Sequence, residues 1–207
     1  MGRRRISPSV GNQYLKQAYF KDTTTGKSFN GFAFANDREG YEISVPNPTK
    51  GISFKTVIGP KGPTTIRNQT SDTALIFEGF WDYLSFLEMN KKTKLDQQAI
   101  ILNSLSFIKE AAEGLIKQKD TIKKVFLFQD NDDAGDKALL LMADLLHSED
   151  FIIGTMNHLY TGKKDLNDFW REAQGQIINQ VSEPKIYAAG VWAEQERTKI
   201  LNSKQPN

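Results

Sequence analysis

Three short apolar runs in this chain each end in acidic residues, and acids delivered to one place can hold a cation or move protons. Ala74-Leu75-Ile76-Phe77 is followed by Glu78-Gly79 and then Asp82. Val125-Phe126-Leu127-Phe128 passes through Gln129 into Asp130-Asn131-Asp132-Asp133-Ala134-Gly135. Phe151-Ile152-Ile153, with a short extension, leads to Lys164-Asp165-Leu166-Asn167-Asp168. Two carboxylates about 5 Å apart repel by roughly 3 kcal/mol at an effective dielectric near 20. Converging acids therefore take up protons or gather around a cation. A metal is the expectation here. If the strand continues through Asp130 and Asp132, both side chains leave on one face, about 7 Å apart at Cα. That spacing suits Mg²⁺, which keeps several waters and needs only one or two carboxylates. Glu78, at a strand end before a glycine, is placed for proton transfer near a hydroxyl. Asp82, one turn later, is either another ligand or a hydrogen-bond partner. Asp165 and Asn167 repeat the i, i+2 spacing, Asp133 reads as a helix cap, and Asp168 as a first-turn acid. Ala134-Gly135 lets a helix start close to the acids, with N-terminal amides able to face a phosphate.

These residues meet only if the runs are neighbouring strands. Short apolar runs bounded by turn residues and followed by helical patterns read as buried parallel strands, and ligands bind at the carboxyl ends of such sheets. Strands at residues 75–78, 99–102, 125–128 and 151–156 alternate with helices at 80–88, 106–117, 135–147 and 167–173. The pattern implies an α/β fold with a parallel four-stranded sheet, right-handed crossovers and helices on both faces. We assign this domain to residues 71–175. Residues 12–70 read as a small α+β lobe with one short helix at 12–20 and a β-hairpin around the turn 36–40. A strand at 54–58 follows, with Thr64-Thr65-Ile66 as its pairing partner. Phe29, Phe32, Phe34 and Tyr41 read as core of this lobe. Residues 1–11 read as a disordered basic terminus, and 176–207 as a helix to about residue 201 with a polar tail.

Composition narrows the class. A chain of 207 residues can bury one good core. A net charge of +2 gives no global argument for a nucleic-acid partner. Arg3-Arg4-Arg5, Lys91-Lys92-Lys94 and Lys123-Lys124 read as solvated patches, whereas Lys163-Lys164 adjoins the third acidic cluster. Cysteine is absent, which excludes disulfides and thiolate zinc sites and fits a reducing compartment. No run approaches the ~20 apolar residues that span a bilayer, and no signal peptide is visible. The chain reads as soluble and cytoplasmic, with no membrane partner. His147 and His158 read as surface or helix-end residues, Tyr83 and Tyr160 as core or rim.

Glu78-Gly79-Phe80-Trp81-Asp82, Asp130-Asn131-Asp132-Asp133-Ala134-Gly135 and Asp165-Leu166-Asn167-Asp168 together resemble the Toprim domain of bacterial-type primases. That Rossmann-like domain is shared with topoisomerases and certain nucleases and recombination proteins. The resemblance covers about residues 72–169. Ile101-Leu102-Asn103-Ser104-Leu105-Ser106 looks like the family's second-strand turn without its usual glycine. The hairpin and Lys61-Gly62 resemble the lobe that precedes Toprim in primases. The nearest likeness is to compact primase-like proteins of Bacteroidetes mobile elements, whose N-terminal cysteine-rich zinc module has no counterpart in this cysteine-free chain. The resemblance implies Glu78 as general acid/base and Asp130 and Asp132 as ligands of Mg²⁺ (or Mn²⁺), with Asp82 and Asp165 completing the set. Asn167, Lys163, Lys164 and Lys61 become the nucleic-acid or nucleotide contacts. The implied reaction is nucleotidyl transfer from ribonucleotides to make RNA primers on a single-stranded DNA template, in concert with a helicase or other replication protein. A Toprim-type nuclease and a non-catalytic DNA-binding accessory are the rivals. A topoisomerase is not expected, since the sequence shows no extra domain to carry and move a cleaved strand. An aspartyl phosphatase would put D-x-D after its first strand.

Overall fold

The computed structural model describes residues 2–47, 53–68 and 70–173, with the backbone of 185–188. From the N-terminus come helix α1 (Pro8–Tyr14) and strands β1 (Leu15–Lys21), β2 (Ser28–Ala35), β3 (Tyr41–Pro46), β4 (Ser53–Ile58) and β5 (Thr64–Ile66). Next are β6 (Thr73–Phe77), α2 (Phe80–Met89), β7 (Gln98–Ile101), α3 (Ile108–Ile116) and β8 (Lys124–Phe128). The described chain closes with α4 (Asp133–Leu146), β9 (Ile152–Thr155), α5 (Leu166–Glu172) and β10 (Lys185–Ala188).

The α/β architecture expected from the alternating pattern is present. Strands β9, β8, β6 and β7 form the parallel core of a six-stranded sheet in the order β10-β9-β8-β6-β7-β5, and both outer strands run antiparallel. Every residue of β6 is buried, as befits an inner strand covered on both sides. Its alternation divides the core. Leu75 and Phe77, with Phe126 and Phe128 of β8, pack against α2, α5 and the N-terminal Ile6 and Val10. Ala74 and Ile76, with Val125 and Leu127, pack against α3 and α4. Phe77 stacks on Phe128 with ring centroids 4.5 Å apart, and each fully buried phenyl ring contributes about 1.5–3 kcal/mol. Strands β1 to β4 form a separate antiparallel sheet that includes the expected hairpin. Phe34 of β2 joins the main core and stacks on Phe80.

Four expectations are corrected. Residues 12–20 are not one helix: α1 ends at Tyr14, and β1 pairs along its whole length with β2, so tertiary pairing overrides local helical periodicity. The basic N-terminus is not a disordered arm. Gly2–Arg4 form a 3₁₀ turn, α1 begins at Pro8 under a Ser7 cap, and Ile6 and Val10 are buried. Thr64–Ile66 pairs with β7 rather than β4, because the chain has already crossed to the edge of the larger sheet. Residues 185–188, expected to be helical, extend that sheet as β10 beside β9; the rest of the expected C-terminal helix lies outside the described residues. At the second-strand turn Asn103 adopts φ 60°, the left-handed region that favours glycine and also tolerates asparagine. Its side-chain amide donates to the Gly62 carbonyl (3.1 Å) and to Thr64 Oγ1 (3.2 Å), so it ties the turn to β5 and the residues before it.

Candidate functional site

Strand register makes the first contact. Phe77 pairs with Phe128, so the residues that follow β6 and β8 emerge side by side. The Glu78 amide donates to the Phe128 carbonyl (3.1 Å), and the Asp130 amide donates to Glu78 Oε2 (3.1 Å). Burial, and next the Asp130 carboxylate, push the Glu78 carboxyl above the usual range.

The strand does not continue through Asp130 and Asp132 as expected. Asp132 is instead the N-cap of α4, its Oδ1 accepting from the amides of Ala134 and Gly135 (3.0 Å each). Those amides are therefore engaged by Asp132 rather than turned to a phosphate, and Asp133 is the first helical residue rather than the cap. Gly135 is required at this point. A Cβ there would fall well inside contact distance of the Asp130 carbonyl oxygen, and 3.0 Å from its carbon.

Asp130 and Asp132 nevertheless converge on a cation, the chain's own Lys164. Its ammonium lies 3.0 Å from Asp130 Oδ2 and 3.9 Å from Asp132 Oδ2. The hydrogen bond and charge of Asp130 raise the lysine's pKa. Asn131 holds Lys164 there from the backbone side. Its amide donates to the Lys164 carbonyl (2.6 Å), and its Nδ2 to the carbonyls of Lys163 (2.8 Å) and Tyr160 (3.1 Å).

A second group of acids lies deeper. Asp82 on α2 is buried, and its Oδ1 accepts from the Asn167 amide (3.0 Å). Burial, then Asp165 and Asp130, push its carboxyl well above the ordinary aspartate range. Asp165 caps α5, accepting from the Asp168 amide (2.7 Å), and burial raises its pKa too. Asn167, expected to contact nucleic acid or nucleotide, is fully buried. Its Oδ1 accepts from Arg4 Nη1 (2.7 Å), and its Nδ2 donates to the Arg4 carbonyl (3.2 Å) and Ser85 Oγ (2.8 Å). It joins elements and does not face a ligand.

Acids and bases share one cavity of about 540 Å³ between the two sheets. Asp82, Asp130 and Asp165 line it on the side of the parallel sheet and Lys55 and Ser53 on the side of β4, and Trp81 and Arg4 line it as well. Lys163 and Lys61, both expected here, do not line it. Lys163 is paired with Glu172 on α5. Lys61 follows β4 at its far end, where its carbonyl accepts from Arg38 (3.2 Å). Lys55 takes the place assigned to Lys61: its ammonium lies 3.6 Å from where a Gly79 Cβ would stand, and its charge offsets a small part of the upward shift that burial gives Glu78 and Asp82. Strand alternation could have found Lys55, which shares a face of β4 with Ser53. No local signal distinguished Arg4. Tyr83 and Tyr160 are buried core, as expected.

Among the described residues no three side chains form a ready-made metal cluster. The donor set still fits a hard divalent ion, since Asp130 and Asp132 are carboxylates already drawn to a single positive charge.

Residues 75–170 match the family model described as Toprim-like and form a Toprim-like domain. Residues 1–55 match a second model, a Domain of unknown function (DUF8464). The fold is shared with solved primase domains. One is the primase fragment of the bacteriophage T7 primase-helicase protein (TM-score 0.58, 15% identity, covering 96% of this chain and 72% of that one). Another is a DNA primase domain from Pseudomonas aeruginosa (TM-score 0.54, 13% identity, 89% and 71%). A third comprises the zinc-binding and RNA polymerase domains of Aquifex aeolicus primase (TM-score 0.52, 16% identity, 96% of this chain but 59% of that one). Identities this low establish likeness of fold alone. No curated protein matches the sequence.

Proposed function

We propose that this chain is a primase-like nucleotidyltransferase that makes RNA primers on single-stranded DNA, as part of the cytoplasmic replication of a mobile element and beside a helicase. The observation that carries the reading is the meeting of Glu78, Asp130 and Asp132 beyond the carboxyl ends of β6 and β8, with the Lys164 ammonium between the two aspartates. Fold likeness to primase domains, one of them from a primase-helicase, supports the class of function and the kind of partner.

Asp130 and Asp132 would hold Mg²⁺ or Mn²⁺. When bound, such an ion neutralises phosphate charge and lowers the pKa of a hydroxyl. Glu78, held by the Asp130 amide, then accepts the proton of the attacking 3′-hydroxyl; its raised pKa brings it closer to working pH than an ordinary glutamate. Lys164, displaced from the aspartates, is free to meet a phosphate oxygen. Lys55 adds a second positive charge from the opposite wall. Asp82 and Asp165, which line the same cavity as Asp130, would complete the acidic set around the ion, and they join α2 and the first turn of α5 to it.

The test is to incubate the protein with single-stranded DNA, labelled ribonucleotides and Mg²⁺ or Mn²⁺, beside a labelled DNA strand. Primer synthesis is the expected result. Cleavage of the labelled strand would replace the reading with a nuclease, and binding without either product with an accessory.

A further inference from the structure

We propose that Arg4 is a positioning residue of the acidic site, acting through Asn167, and that the N-terminal segment is a fixed wall of that site. Three successive carbonyls, those of Arg3, Arg4 and Arg5, accept hydrogen bonds from side chains of α5. The donors are Arg171 Nε (3.0 Å), Asn167 Nδ2 (3.2 Å) and Trp170 Nε1 (2.9 Å). Residues 167, 170 and 171 share one helical face at i, i+3 and i+4 spacing, so a single face of α5 grips a single stretch of chain. Arg5 sits at φ 53°, an uncommon conformation for a residue with a side chain. Such strain persists where the surroundings over-determine it. Just beyond, Ser7 donates to Glu88 from both its amide and its hydroxyl (2.7 Å each), and Ile6 and Val10 enter the core. The segment is anchored on both sides of Arg5.

This anchoring sends the Arg4 side chain into the cavity. One guanidinium nitrogen donates to Asn167 Oδ1 (2.7 Å) and the other lies 3.4 Å from Ser53 Oγ of β4, while the group stacks 5.3 Å from the centre of the Trp81 ring. Asn167 in turn gives its amide to Asp82. Arg4 thus links β4, α5 and the buried aspartate through one planar fork, which a lysine cannot reproduce. Its charge stands beside the guanidinium of Arg171, which repels it, and faces Asp165, Asp168 and Asp82, which attract it.

Two roles for Arg4 give opposite signs. A bystander cation repels a metal ion, so its removal tightens metal binding. A positioning residue orders the first turn of α5 and the acids joined to it, so its removal weakens metal binding.

The experiment compares the full chain with Arg4→Ala, Arg4→Lys and Ser7→Ala. Amide hydrogen exchange at Asn167 and Asp168 is followed without metal, and Mn²⁺ affinity is measured by calorimetry. In both Arg4 variants exchange is expected to accelerate, and Mn²⁺ affinity to fall, by roughly tenfold, the loss of about one charge-assisted hydrogen bond. Ser7→Ala removes the α1 cap and the hydroxyl bond to Glu88 but keeps the amide bond and all three α5 contacts to residues 3–5, so it lowers the thermal midpoint and moves both readouts far less than the Arg4 variants do. Unchanged exchange in Arg4→Ala overturns the proposal. So does recovery of wild-type values by Arg4→Lys, or an equal change in Ser7→Ala. The metal readout rests on the proposed function and the exchange readout does not. A wild-type chain that binds no Mn²⁺ overturns the metal reading of Asp130 and Asp132, and the exchange comparison alone then decides on Arg4.

Discussion

Gly135→Ala sets helix propensity against the close approach that shapes the site. Gly135 is the third residue of α4, where alanine gains up to about 1 kcal/mol over glycine through propensity. Against this, the new Cβ overlaps the Asp130 carbonyl oxygen and stands 3.0 Å from the carbonyl carbon and 3.2 Å from Gln129 Cβ. Backbone, not the end of a flexible side chain, must move. Asp130 is also tethered, its amide bound to Glu78. Overpacking of this kind costs about 1–3 kcal/mol or more, so the clash wins over propensity and the net change is a loss of about 1–2 kcal/mol. For a chain of this size the thermal midpoint then falls by roughly 2–8 °C. Gly114→Ala is the matched control. That glycine is inside α3, and a Cβ there meets nothing within 4 Å. It should gain about 0.5–1 kcal/mol and raise the midpoint by roughly 1–4 °C. Urea unfolding of both variants, with an unchanged denaturant slope, measures the difference. Manganese titration of Gly135→Ala should show weakened binding, since the Asp130 backbone is displaced. Equal stabilisation by the two substitutions, with unaltered manganese affinity, would refute the reasoning.

Glu78→Gln keeps a side-chain oxygen for the Asp130 amide but cannot take a proton. Primer synthesis should fall about 10²- to 10⁴-fold while calorimetry shows metal affinity retained; unchanged turnover removes Glu78 as the base. Asp130→Asn should weaken Mn²⁺ binding, and an unaltered isotherm takes it out of the ligand set. Lys164→Ala removes the ammonium that competes for Asp130 and Asp132, so Mn²⁺ affinity should rise several-fold in direct titration; weaker binding would contradict the competition. Asp82 has a folded-state pKa raised by burial. Between its unfolded and folded values the native state holds the extra proton, so stability falls as pH climbs from the ordinary aspartate range through the raised one. Asp82→Asn retains an acceptor for the Asn167 amide, and should flatten that limb and stabilise the chain at neutral pH by on the order of 1 kcal/mol. Urea midpoints across pH in chelator decide this, and a less stable variant at neutral pH would count against it.

The order of strands and helices in the Toprim-like part was legible in the sequence because burial leaves a local trace. An inner parallel strand must be apolar at every position, as in β6, and an outer helix must be apolar on one face, as in α4. The acids at the strand ends were legible for the same reason, since they interrupt the apolar runs. Pairing and side-chain direction were not. Residues 12–20 are helical by periodicity, and only β2 makes most of them a strand. Lys61 and Lys55 look equivalent in the chain, yet strand alternation turns Lys55 toward the acids and leaves Lys61 beyond the strand's end. Asn167 has the spacing of a ligand, and packing made it a buried connector. Arg3-Arg4-Arg5 reads as a solvated patch until one face of α5 is found holding it. Sequence alone thus determined which acids stand at the strand ends and that a parallel sheet delivers them. Tertiary structure decided which charges face those acids, because a long cationic side chain has no local preference for a partner until the fold brings one within reach.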